Sequence, residues 1–256
     1  MIGAIAGDII GSVYEFHPIK TTDFPLFKTD SFFTDDSVLT IALAESILTG
    51  KPYLDVMLAY VKRYPGAGYG GRFWSWSQGA EHLPYNSFGN GAAMRISPVG
   101  FAYSTLEEVL KQAEKATAIT HNHPEGIKGG LATAAAIFLA RKGNSKDIIK
   151  AYIQSTFQYN LDRKLDDIRP SYGFDESCQG TVPEAIIAFL ESDSYERTIR
   201  KAVSLGGDAD TLACIAGGIA QAFYGGIPTE VEMEAYNRLD EKLAKVVKEF
   251  TERFPH

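Results

Sequence analysis

Two acidic clusters in this 256-residue chain have the composition of a hard-cation site: Thr34-Asp35-Asp36-Ser37 and Asp208-Ala209-Asp210-Thr211. Each offers carboxylate and hydroxyl oxygens, and each stands at the start of an apolar segment of helical period. Taken singly, either reads as a helix cap, because Thr and Asp accept bonds from the free amides of a first turn and complement the helix dipole. Taken together they are harder to explain that way. Asp35, Asp36, Asp208 and Asp210 gathered at the mouths of two central helices would repel one another unless a cation lay between them. Such oxygen donors select Mg²⁺ or Mn²⁺, whereas Zn²⁺ favours His and Cys, and four carboxylates suffice for a pair of ions.

The elements that must position these clusters are helices. Leu54, Met57, Leu58 and Val61 recur at i, i+3, i+4 and i+7, as do Leu106, Val109, Leu110 and Ala113, while strand-like alternation is scarce. Thr105 with Glu108 makes a capping box, Ser145 precedes an apolar-periodic run, Pro183 suits a first helical position, and Gly50 and Gly143 mark helix ends. The pattern predicts helices near 2–13, 36–49, 53–63, 105–118, 125–141, 145–156, 183–191, 195–204, 209–224 and 230–252, an all-α fold in one domain over 1–256. Gly3, Gly7 and Gly11 at four-residue spacing, and Gly217 and Gly218 among alanines, mark helices 2–13 and 209–224 as the closely approaching centre of the bundle. Two connections, Pro65 to Pro98 and Gln158 to Thr181, are longer than packing requires, which is the usual mark of a functional loop.

Composition narrows the class of function. With 25 Lys and Arg against 32 Asp and Glu, the net charge is −7 and no basic cluster stands out, which argues against a nucleic-acid surface. The longest apolar stretches, Leu131 to Ala140 and Leu212 to Tyr224, fall short of the roughly 20 residues of a membrane span. The apolar N-terminus carries Asp8 and no basic residue before Lys20, so it reads as the first helix of the fold and not as a signal peptide. Cys178 and Cys214 lie far apart and outside any CxxC, which gives neither a disulfide framework nor a thiolate metal site and fits a reducing cytoplasm; a monomer is expected.

Five motifs, in order, resemble the ADP-ribosylglycohydrolase family: Gly7-Asp8-Ile9-Ile10-Gly11-Ser12-Val13-Tyr14-Glu15, Thr34-Asp35-Asp36-Ser37, Gly89-Asn90-Gly91-Ala92-Ala93-Met94-Arg95, Thr120-His121-Asn122-His123-Pro124 and Gly206-Gly207-Asp208-Ala209-Asp210-Thr211. They span residue 3 to about residue 225. The resemblance implies an orthogonal all-α bundle with a binuclear Mg²⁺ centre at the base of an ADP-ribose cleft. It implies Thr34, Asp35, Asp36, Asp208, Asp210 and Thr211 as metal ligands, with Asp210 bridging the two ions. Glu15 matches an acid beside the metals and the scissile bond, while Asp8 is read as a capping or orienting residue and not as a ligand.

Gly68-Tyr69-Gly70-Gly71 and Ser87-Phe88-Gly89-Asn90-Gly91 resemble the loops that present backbone amides to the diphosphate, and glycines suit that task because they let amides crowd an anion. Phe88, Trp74 or Trp76 is the expected partner of the adenine, and Arg95 is expected to pair with acids behind the site. His121 falls at a ligand-contacting position and His123 at a helix cap. The segment Phe174 to Glu184 is a candidate lid. The implied substrates are ADP-ribose and ADP-ribosylated side chains, with Glu15, Asp36 and Asp210 in the catalytic roles.

Relatives that act on ADP-ribosylarginine carry a further aspartate between the second and third motifs. Here Arg72 to Asn90 holds only Glu81 as an acid, which leans the reading toward an O-linked acceptor such as serine-linked ADP-ribose or O-acetyl-ADP-ribose. Two rivals stand beside it: a non-catalytic ADP-ribose binder, and a binuclear phosphohydrolase that would release AMP.

Overall fold

The expected helical periodicity is realised throughout residues 1–255, the part of the chain that the structure, a computed structural model, describes; His256, the last residue of the span read as one domain, lies outside it. The elements are α1 (Ile2–Gly11), α2 (Asp35–Thr49), α3 (Tyr53–Arg63), α4 (Gly71–Ser77), α5 (Gly91–Met94), α6 (Ser97–Ala102), α7 (Leu106–Ala118), α8 (Pro124–Arg141), α9 (Lys146–Phe157), α10 (Leu165–Ile168), α11 (Cys178–Leu190), α12 (Tyr195–Val203), α13 (Ala209–Tyr224), α14 (Thr229–Arg238) and α15 (Glu241–Arg253). Among the described residues there is no strand, only an isolated bridge between Gly89 and Ser177. Among the described residues no helix is long and apolar enough to cross a membrane.

The centre of the bundle is the pair α1 and α13, as the glycine spacing predicts. Every residue of α1 is buried, so the helix is apolar on all sides apart from Asp8. Its glycine stripe lies on the backbone of α13: a methyl group at Gly3 would stand 2.7 Å from the Gly217 carbonyl oxygen, and one at Gly11 2.5 Å from that of Ala209. A methyl at Gly7 would overlap the Ala213 carbonyl outright. Helices α8, α11 and α12 also pack on α13, and α2 packs on α1.

Three departures from the expected elements have local causes. The loop 65–98 contains the short helices α4, α5 and the start of α6, too brief for periodicity to reveal. Helix α11 begins five residues before Pro183, because the Ser177 side chain accepts from the Gly180 amide at 3.2 Å and the Cys178 amide donates to the Phe88 carbonyl at 2.9 Å. Pro183 therefore sits inside the helix and not at its first position. The run 230–252 is two helices, α14 and α15, since Asp240 caps the second by accepting from the Lys242 and Leu243 amides, both at 2.9 Å.

Replacing Gly7 by Ala should cost about 3 kcal/mol or more, because the added methyl must push two helix backbones apart. Chemical denaturation checks this. A loss below about 1 kcal/mol would mean that the α1–α13 contact yields easily.

Candidate active site

The crossing of α1 and α13 carries the acidic clusters to the floor of one cleft of about 480 Å³, a size suited to a nucleotide-like ligand. Thr34, at the N-cap of α2, accepts from the Asp36 amide at 3.3 Å, so the capping role expected of it is real. Asp208 behaves otherwise. It occupies the N-cap position of α13 but makes no side-chain capping bond; its Oδ2 accepts from Asn90 Nδ2 at 2.6 Å. The preceding Gly206 and Gly207 both have φ near +70° (71° and 73°), and a side chain at Gly207 would collide with the backbone of Gly173. That left-handed pair is what turns Asp208 into the cleft.

Two carboxylate triads result, each with oxygens within 4.8 Å of one another: Asp8, Asp36 and Asp210, and Glu15, Asp208 and Asp210. Asp210 belongs to both. Thr211 Oγ1 donates to Asp36 Oδ2 at 3.3 Å and so ties the second cluster to the first across 175 residues. Asp36 Oδ1 is buried and has no hydrogen-bond partner, which is costly for a carboxylate oxygen. Asp35 falls outside both triads and lines the cleft beside Gly68.

Asp8 differs from its neighbours in being saturated. Its Oδ1 accepts from Thr34 Oγ1 at 2.7 Å, and its Oδ2 accepts from the amides of Thr34 and Ser37 at 3.0 and 3.1 Å and from the Ser37 hydroxyl. It thus anchors the start of α2, the orienting role read from the sequence. Glu15 projects from the turn after α1, where the neighbouring Tyr14 is pinned by a bond from its hydroxyl to the Pro25 carbonyl at 3.2 Å and by the edge of Phe24.

Burial dominates the electrostatics of this floor. It lifts Asp8 to about 6, against the pull of its four hydrogen bonds. Burial, with the charges of Asp208 and Asp8, lifts Glu15 to about 7. Burial, with Asp8 and Asp208, lifts Asp35 to about 8, and Asp36 and Asp210 are raised well above the usual carboxylate range by burial and by neighbouring acids. Full ionisation of this floor is therefore unfavourable unless positive charge compensates it. The floor's donor set is made entirely of carboxylate and hydroxyl oxygens, and with the orphaned oxygen of Asp36 it fits hard divalent cations.

A family model described as ADP-ribosylglycohydrolase matches residues 1–255. The chain belongs to that family. As a member it is an enzyme that hydrolyses ADP-ribose glycosidic bonds. Among curated relatives, the ADP-ribosylhydrolase ARH3 of Mus musculus is 26% identical over 88% of this chain and 82% of its own length, and that of Homo sapiens is 27% identical over 88% and 84%. The ADP-ribosylarginine hydrolase Tri1 of Pseudomonas putida is 26% identical over 96% of this chain and 76% of its own. A solved structure described as an ADP-ribosylglycohydrolase-related protein complex shares the fold with a TM-score of 0.76 at 23% identity, covering 98% of this chain and 96% of that one.

The glycohydrolase cleft contains most of the residues expected from the motifs. Gly68, Gly70, Ser87, Phe88, Gly89, Asn90 and His121 line it together with the acids. Tyr69 does not: its ring stacks on Trp74 at 6.0 Å and packs against Phe73. Trp74 and Trp76 also lie off the cleft, the latter tied by its indole N–H to the Leu83 carbonyl at 2.9 Å. Phe88, 45% exposed and edge-on to His123, is the aromatic of that expected set that faces the ligand space. His123 caps α8 by accepting from the Glu125 amide at 3.1 Å, as read.

Other expectations need correction. The amides of Ser87, Gly89 and Asn90 already donate inside the protein, to the Thr120 carbonyl, Ser87 Oγ and the Glu176 carbonyl, so at these positions the second loop offers shape and not free donors. The segment Phe174–Glu184 is held by the Gly89–Ser177 bridge and enters α11 at Cys178, leaving only its first residues on the rim. Arg95 has no acidic partner among the described ion pairs; it donates to Thr120 Oγ1 at 2.7 Å and faces His121 Nδ1 at 3.4 Å. Arg72, Tyr85 and Glu176 also line the cleft; Arg72 and Tyr85 flank the two glycine loops and Glu176 lies in the candidate lid segment, but no motif singles out any of the three as a site residue.

The raised carboxylate pKa values predict the behaviour of metal-free protein. A folded-state pKa above the unfolded one gives stability that is present at low pH and lost as pH rises, here between roughly 4 and the value of about 8 at Asp35. In EDTA the melting temperature should fall on the order of 5 °C from pH 5.5 to pH 8, and Mg²⁺ at pH 8 should restore it. A melting temperature that rises with pH in EDTA would contradict the electrostatic picture.

Proposed function

We propose that the protein is a Mg²⁺-dependent hydrolase that cuts the bond between C1″ of the distal ribose of ADP-ribose and an acceptor oxygen, releasing free ADP-ribose. The observation that carries this reading is the sharing of Asp210 between two carboxylate triads on the floor of a nucleotide-sized cleft. Thr34, Asp35, Asp36, Asp208, Asp210 and Thr211 would hold two ions, with Asp210 between them, and Mn²⁺ would satisfy the same oxygens. When bound, the ions supply fixed positive charge that orients the ribose hydroxyls and a water.

The chain's own residues do the rest. Glu15 is half-buried at the cleft wall with its pKa lifted to about 7, which suits a group that takes a proton from the attacking water or helps to release the leaving oxygen. Cleavage at the anomeric carbon passes through an oxocarbenium-like state, and Asp36, Asp210 and Glu15 stand as the nearby anions that stabilise it. Gly68, Gly70 and the turn Ser87–Gly91 shape the space for the diphosphate, and Phe88 offers a ring to the adenine.

The O-linked lean rests on the segment Arg72 to Asn90, whose single acid, Glu81, does not line the cleft and so offers no partner to a guanidinium. An arginine-linked acceptor is the second reading, supported by the similarity to Tri1 and by Glu176, an exposed acid on the cleft wall.

Incubation with serine-linked and arginine-linked ADP-ribosyl peptides, with Mg²⁺ or with EDTA, tests both. Free ADP-ribose identified by mass, released only with metal, is the expected result; AMP would make the enzyme a phosphohydrolase, and the peptide cleaved decides the linkage.

Glu15→Gln should retain ADP-ribose affinity within about threefold while kcat falls by about 10²-fold or more. Retained turnover with lost binding would remove Glu15 from the chemistry. Asp210→Asn should abolish metal-dependent activity altogether.

A further inference from the structure

Arg95 is an unusual cation. It is 1% exposed, its Nε is buried without a hydrogen-bond partner, and it takes part in none of the ion pairs among the described residues. A buried guanidinium that no carboxylate contacts, its burial offset only by the longer-range attraction of Asp35 and its neighbours, is costly to keep, so a site that keeps one has a use for it. Arg95 lines the cleft, as does Arg72, which donates to the Tyr85 carbonyl at 2.7 Å, sits 5.1 Å over the Tyr85 ring and is likewise absent from the ion pairs. Tyr85 lies 6.3 Å from the His121 ring, so the two guanidiniums flank one histidine. The cleft is therefore polarised, with carboxylates on its floor and, around His121, two guanidiniums that contact no carboxylate.

The hydrogen bonds dictate the state of that histidine. Arg95 is a pure donor; it donates to Thr120 Oγ1, whose own proton is then free for His121 Nδ1 at 2.6 Å, and a second Arg95 N–H faces the same Nδ1. Nδ1 is thus an acceptor, and the ring proton resides on Nε2. That nitrogen abuts the Gly89–Gly91 turn, where a side chain at Gly91 would stand 3.3 Å from it. Burial and the two arginines hold His121 well below its usual pKa, hence neutral.

We propose that Arg95 is a positioning residue of the diphosphate subsite: it supplies the buried positive charge and, through Thr120, fixes His121 as an Nε2–H donor to the phosphoryl oxygens of a nucleoside diphosphate. This rests on the reading of the cleft as an ADP-ribosyl site, and two measurements separate the failure of one from the failure of the other. The first uses protein without ligand. At pH 7.5, ¹⁵N NMR of His121 should show an unprotonated Nδ1 in the wild type and a measurable protonated fraction at Nδ1 in Arg95→Met; Nδ1–H in the wild type, or spectra identical in the two proteins, would overturn the proposal whatever the substrate is.

The second measures binding of ADP-ribose, ADP and adenosine to Arg95→Met and Arg95→Lys. ADP-ribose and ADP should weaken by about tenfold or more in Arg95→Met, adenosine should be unchanged, and Arg95→Lys should recover part of the loss. An equal loss for adenosine would reduce Arg95 to a structural residue and overturn the proposal. Phosphate-selective loss in a protein that releases no ADP-ribose from any peptide would uphold the proposal while the proposed activity failed.

Discussion

The mutual repulsion of buried carboxylates is the constraint around which this fold is arranged. Asp8, Asp36, Asp208 and Asp210 are all buried, and Asp35 and Glu15 stand at their edge. Bringing such groups together is unfavourable, and only a rigid scaffold can enforce it before a cation arrives. The scaffold is the contact of α1 with α13. Its glycines bring the helix backbones into direct contact, which sets Asp8 and Glu15 against the first turn of α13 with no freedom to splay apart. A looser pairing would let the acids drift toward water.

Hydrogen bonds outside the triads then decide which carboxylate oxygens remain available. Asp8 spends both of its oxygens on Thr34 and Ser37, so it holds the start of α2 and leaves Oδ1 of Asp36 as the free oxygen of that triad's α2 acid. Asn90 plays the matching part for the other cluster. Its side-chain amide donates to Asp208 Oδ2 and to Thr181 Oγ1 at 3.1 Å, while its backbone amide donates to Glu176 at 2.7 Å. One oxygen of Asp208 is thereby committed and the carboxylate plane is set. The third motif thus serves the acidic floor as well as the cleft wall.

Most of the fold was legible because its signals are local. Glycine at i, i+4 and i+8 in α1, capping residues at Thr105, Ser145 and Thr34, and apolar periodicity in α3 and α7 each act within one or two helical turns. The acidic floor was legible for the same reason, since each cluster is contiguous. What escaped was set by contacts between distant segments. Helix α11 starts early because Phe88 supplies an acceptor to Cys178; Arg95 turns a terminal nitrogen to Thr120 and His121 instead of to an acid; Tyr69 turns inward because Trp74 and Phe73 offer it a surface. The break at Asp240 was a local signal left unread, an Asp followed by amides that it caps.

The polarity of the cleft argues for the direction in which a ligand enters. A molecule with a diphosphate in its middle gains from lying toward Arg72, Arg95 and the His121 donor and away from the carboxylates of the floor. On the proposed reading, the neutral distal ribose is the part that can approach those carboxylates, through the cations they hold. The reverse orientation would place phosphate charge where the floor is most negative and leave both guanidiniums facing a neutral sugar. On the same reading, binding energy from the remote adenosine diphosphate portion is converted into placement of C1″ beside Glu15, so that contacts far from the scissile bond serve the chemical step.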